Sequence, residues 1–499
     1  MFTQEDREAS IEKVLRSLAK AQEVDAGTSP LETALVKALA TRFPRSTDAI
    51  PEDLSSFDYA YAEAMRGVYE AHGDDIDVIA LFADAIMCTR PRLLWDVDTG
   101  NTTGQDVDDA RAALEKGLAR PEGRGHPGIC HLYIHLMEMS PFPEVALPAA
   151  DSLRRIVPDG SHMQHMATHI DTACGDYRRS IDSNMNAVLS DDKYFAQENS
   201  SSIMYSAYRS HNAHAMAYSA MISGRSSDAL WAARRLPEIL TLEFMSIKTP
   251  RMLDWTEWQW VTLPHALIRF GHWDEILQLE MPADPELLCV SVATIKYAKA
   301  IALAVLGRTE EARHARDDFE ESRRSVPEDR MYGFRGKAQS ILAVASAMLE
   351  GELEYRVGNF SEAFSALRRG VELEDKIALA EPPLWMLPVR HALGALLLEQ
   401  GHSEEAESLY WEDLGFSDKL PRRKARINNV WGLHGLYECL IRNGKLEEAR
   451  KFKLQRDIAV AAADIDIKAS CFCRRSAVEG KNHSNNNGAD KSSCGTSCC

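Results

Sequence analysis

Seven times along this chain an apolar helical stretch stops at a glycine and an amphipathic stretch begins at once. The glycines are Gly175, Gly224, Gly271, Gly307, Gly358, Gly401 and Gly444, in contexts such as CGDYRRSI, LGRTEEAR and NGKLEEAR. Five of them are followed five residues later by alanine: Ala229, Ala312, Ala363, Ala406 and Ala449. Glycine ends a helix readily because the left-handed cap costs it nothing. A small residue early in the following helix lets the two axes lie close together. The pattern therefore predicts repeated helix-turn-helix units in an all-α chain. Sustained period-two alternation is missing, as are Asn-Gly or Asp-Gly turns between β-rich runs.

Successive glycines are 49, 47, 36, 51, 43 and 43 residues apart, longer and less even than a strict 34-residue repeat. The pattern resembles the tetratricopeptide (TPR) family, whose G-x-x-x-x-A core is matched from about residue 160 to 455. The last unit, Asn429-Val430-Trp431-Gly432-Leu433-His434-Gly435-Leu436, adds the aromatic-plus-Leu-Gly signature of a TPR first helix. The resemblance implies a right-handed superhelix of antiparallel helix pairs, an α-solenoid whose first helices line the concave surface.

Four regions are expected. Residues 1–120 form an irregular N-terminal helical region, with helices predicted near 57–70, 77–88 and 106–118 and a loop over 95–104. Residues 121–235 are histidine-rich TPR-like helices, 236–460 continue the repeats, and 471–499 form a disordered cysteine-rich tail. A net charge of −18 argues against nucleic-acid or anionic-membrane partners, which need a basic face. No apolar run is long enough to span a membrane, and the acidic start carries no secretory h-region, so a cytoplasmic chain is expected.

Eight of the 16 histidines lie between residues 126 and 214. On a helix opened by Pro127, His131, His135 and Glu138 are related by +4 and +3 and share a face. His162, His165 and His169 repeat that spacing in reverse, and His211 and His214 form a third pair. The repeat register puts the three clusters on first helices of consecutive units, roughly 10 Å apart. Their inner faces would converge on one pocket, and imidazole is the commonest transition-metal ligand. His131, His135, His165 and His169 are expected to ligate, with His162, His211 and His214 completing one or two metals. Glu138 is expected as a ligand or as the catalytic acid/base.

The ligand set suits copper or iron, with zinc or nickel also compatible, and a single carboxylate argues against magnesium or calcium. Leu132 follows His131 where a zincin has glutamate, so a protease of that class is disfavoured. Gly123-x-Gly125-x-x-Gly128 lacks the preceding strand a dinucleotide fold requires, and Asp96-x-Asp98 lacks the later ligands of a calcium loop. The motifs HPGxxHxxIH and HxxHMxxHI further resemble a group of microbial TPR-domain proteins over about residues 55–450, which implies fold and motif but no substrate. The expected function is a copper or non-haem iron oxidoreductase acting on a small organic substrate. The alternatives are an adaptor that holds a peptide in its concave groove, and a metal storage or delivery protein.

Cys471, Cys473, Cys494, Cys498 and Cys499 crowd the tail, where soft-metal capture, lipidation of the terminal Cys-Cys and redox chemistry are all open. Cys88, Cys130, Cys174, Cys289 and Cys439 stand in apolar helical contexts and read as reduced core residues.

Overall fold

All seven repeat glycines take the left-handed conformation, with φ between 69° and 90°. The five alanines five residues on are buried to within 1% of complete. Cap and close contact are thus both present in the computed structural model, which describes residues 4–24, 28–47, 50–51, 53–197, 203–248 and 251–478. Successive helices pack as antiparallel pairs, among them Ser161–Cys174 with Tyr177–Phe195 and Ile203–Ser223 with Ser226–Ile239. Cys289–Val305 pairs with Thr309–Ser325, Ala338–Val357 with Phe360–Asp375, and Val430–Arg442 with Leu446–Ala462. The architecture is an all-α, TPR-like solenoid. Among the described residues, β structure amounts to a two-residue ladder, Met331–Tyr332 against Gly336–Lys337, and isolated bridges.

Departures from regularity have local causes. After Gly271 the second helix is only Trp273–Leu277, because Pro282 and Pro285 break the chain beyond it. The N-terminal helices Ser55–His72, Ile76–Cys88 and Gln105–Leu118 match the three predicted segments, and the 95–104 loop is closed by a Trp95–Thr102 bridge. Gly175 is required twice over: its φ is 76°, and a Cβ there would meet the Ile427 carbonyl. That close approach brings the 420–429 loop against the end of the Ser161–Cys174 helix, where Tyr177 donates to the Ile427 carbonyl at 2.9 Å and Arg422 to that of Ala173 at 2.8 Å.

Two hydrophobic cores meet at this point. One gathers residues from Ala38 to Ile170, the other residues from Tyr177 to Cys473. The second ends on a segment beyond the last pair. Asp464 caps the Ser226 and Ser227 amides at 2.6 and 2.9 Å, Ser470 is buried between Tyr410 and the His391 carbonyl, and Phe472 packs on Gly271 and Trp431. Ordered structure therefore runs eight residues into the segment expected to be disordered, with Cys471 and Cys473 bonded to each other. Residues 479–499, with Cys494, Cys498 and Cys499, lie outside the described residues. The five remaining cysteines are unbonded, and burial pushes the Cys130 thiol up to about 11. No described helix is long and apolar enough to cross a membrane.

Candidate metal centre

Three first helices bring the histidines together. Pro127–Met137 opens with proline in its first turn, and His126 caps it, accepting from the Ile129 amide at 3.2 Å. His126 is thus structural. In the Ser161–Cys174 helix nearly every side chain is buried, and Gln164 anchors it by donating to the Arg154 and Val157 carbonyls. Asn212 sets the rotation of Ile203–Ser223 by donating to Ser161 and Asp191, both at 2.8 Å. That rotation turns His211 towards His165, with ring centroids 4.5 Å apart.

The rings fall into two groups whose ligand atoms lie within 4.8 Å of one another. One is His131, His135 and His162; the other is His165, His169, His211 and Glu381. Glu138 stands between them. One of its oxygens meets His135 Nδ1 at 2.9 Å and the other meets His169 Nδ1. Both oxygens are thereby engaged by ring nitrogens, one in each group. A carboxylate on Nδ1 fixes the tautomer and leaves Nε2 as the coordinating atom. His165 is fixed likewise, through Nδ1 on Asn184 Oδ1 at 2.8 Å.

This tautomer choice bears on His165 and His169, whose Nε2 atoms are 3.0 Å apart. With both Nδ1 atoms donating, the two Nε2 atoms need one positive centre between them, either a metal ion or a proton carried by His169. Without a metal, the charge distribution favours the proton on His169. Burial alone would push His169 down, but Glu381 and Glu138 flank it and carry it up. Burial would raise Glu138 and Glu381, yet His169 and its neighbours hold both carboxyls below their usual range. Elsewhere burial wins: with help from neighbouring imidazoles it takes His131 down to about 3 and His162 to about 2, and His165 well down. Those rings are neutral at pH 7, as metal ligation requires. His131 Nε2 and His162 Nδ1 are buried without a hydrogen-bond partner.

Glu381 lies outside the pattern read from the sequence. It stands on a strap between Phe360–Asp375 and Val389–Glu399 that has no helix of its own, and reaches His211 at 3.2 Å and His169 at 3.5 Å. The strap's length was the available signal, since connections in helical stacks usually run two to eight residues. His214, by contrast, joins neither group. Its ring lies edge-on to Trp258 at 4.5 Å and both nitrogens are unpartnered. Of the tyrosines nearby, Tyr208 packs on His162, whereas Tyr133 is turned to Glu115 and Tyr205 to Tyr194 and Phe195.

No family model matches this chain, and no curated protein matches it. Among solved structures, the chain is similar to the APC/C hetero-tetramer Cut9-Hcn1 at 11% identity and a TM-score of 0.27, covering 90% of this chain and 96% of that one. It is also similar to the human IFIT1 dimer with m7Gppp-AAAA at 11% identity and a TM-score of 0.32, covering 91% and 87%.

Proposed function

We propose that this chain is a metal-dependent enzyme whose centre holds two transition-metal ions side by side. One sits on His131, His135 and His162, the other on His165, His169, His211 and Glu381. The observation that carries the reading is the pair of donor groups, each within 4.8 Å, joined through the two oxygens of Glu138. A purely structural role for seven buried or half-buried polar groups would leave the unpartnered nitrogens of His131 and His162 unexplained, since buried polar groups are normally satisfied. Six imidazoles and one carboxylate suit copper or iron, and the three-histidine group leaves a coordination position open for substrate. An oxidoreductase on a small organic molecule is the activity assigned, because paired redox-active ions supply electron transfer and Lewis-acid polarisation at one place. The chain itself orients imidazoles through Glu138 and Asn184, and burial keeps His131, His162 and His165 neutral.

Elemental analysis of the purified chain tests this directly. About two copper or iron atoms per chain are expected, with H131A/H135A losing one set and H165A/H169A the other. A chain that folds without metal and binds a peptide through these histidines would overturn the reading in favour of an adaptor.

A further inference from the structure

Beside Glu381 lies a cavity walled by the strap and by the 420–426 loop. Its cations are unequal. Arg426 is held by Glu374 and, at 3.0 Å, by Asp413, while Lys424 donates to the Asp375 carbonyl at 2.7 Å. Arg423 has neither a hydrogen bond nor an ion pair among the described residues, and its Nε is buried. The carboxylates of the metal centre do not serve it. Burial pushes Arg423 down, and Glu138 and Glu381, engaged by histidines, offset this only in part. Trp385, on the same wall, has a buried indole N–H that is also unpartnered. Leaving such donors unmade is costly, the more so for a guanidinium.

Resting on the metal-centre reading, we infer that this cavity is the substrate site, and that Arg423 with Trp385 holds the carboxylate of a small monocarboxylic acid whose apolar body extends along the strap. A guanidinium takes a carboxylate by two parallel N–H···O bonds. Leu379, Leu384 and Leu420 supply the apolar wall. A phosphate dianion fits worse, because Glu374, Asp375 and Glu381 line the same cavity, and of its cations Arg423 alone has no hydrogen bond among the described residues. The bound acid would lie against Glu381, next to the four-ligand group.

The test is calorimetric titration of the full chain with benzoate, benzamide and inorganic phosphate, before and after metal removal by chelation. Benzoate is expected to bind the wild type in both states, with benzamide and phosphate about tenfold weaker or more. R423Q should lose about tenfold or more in benzoate affinity while retaining wild-type metal content, and R423K should fall between. W385F, which keeps the ring and removes the N–H, should lose several-fold, providing a second probe if R423Q fails to fold. Benzoate binding that is absent in the wild type, unchanged in folded R423Q, or weaker than phosphate binding overturns the assignment. If metal is bound but benzoate is not, this inference fails alone. If benzoate binds through Arg423 to a chain that never holds metal, the metal-centre reading fails and the acid site stands.

Discussion

Glu138 links the two candidate ligand groups, because one of its oxygens meets His135 and the other meets His169. Partners of this kind contribute about ten- to a hundredfold to metal affinity. E138Q, which keeps the shape and loses the charge, is therefore expected to weaken both groups by about that factor in chelator competition, whereas H131A should empty only the three-histidine group. H214A should leave metal content at the wild-type level, since His214 packs on Trp258 instead. The spacing made most of this legible: +3 and +4 steps fix a shared face. His214 shares that spacing with His211 but lies outside both groups, its ring edge-on to Trp258, a neighbour that spacing does not reveal. A separate buried histidine gives a pH prediction. His265 is unpartnered and burial holds it down to about 4, so the folded chain keeps it neutral where the unfolded chain, titrating near 6.5, takes up a proton. Its contribution is present above pH 6.5 and is lost as pH falls towards 4, about 2 kcal/mol between pH 7 and 5. Denaturant unfolding of H265L at those two pH values should show a pH dependence smaller by that amount.

At the scale of the element, the helix pairs and the strap differ in how they are written. Gly401 and Ala406 are local instructions, a cap and a close contact, so the pair they join can be read without knowing its neighbours. Ala406 is fully buried. Enlarging it overpacks the helix contact, and A406L is expected to destabilise the chain by about 1–3 kcal/mol in denaturant unfolding. The strap has no period, and Glu381 meets His211 and His169 only because later repeats curl back over the histidine helices. No pattern within either segment encodes that meeting. E381Q should consequently lower metal occupancy of the four-ligand group while sparing His131, His135 and His162, a selectivity that elemental analysis in single-group backgrounds reads out. Equal loss from both groups would place Glu381 among the shared supports with Glu138.

Over the whole molecule, the candidate metal centre lies where two cores join. The Ser161–Cys174 helix gives Met166, Ala167 and Ile170 to the N-terminal core and His165 and His169 to the centre, while Glu381 comes from a strap whose Leu384 and Trp385 belong to the other core. Metal held by all of them would tie the two cores more firmly than the surrounding contacts alone, since a ligand that binds only the native state stabilises it by about 2.7 kcal/mol at a hundredfold excess over its dissociation constant. Calorimetry should accordingly give a single, higher transition for the loaded chain. After chelation the two cores should melt separately, the one carrying residues 38–170 without the support of the 463–478 segment that crosses the other. Deleting 479–499 should change neither pattern nor metal content, because every donor in the two groups lies between His131 and Glu381. Identical melting with and without metal would mean that the histidines sit at the junction without joining it, and a two-ion centre would lose its energetic support with that result.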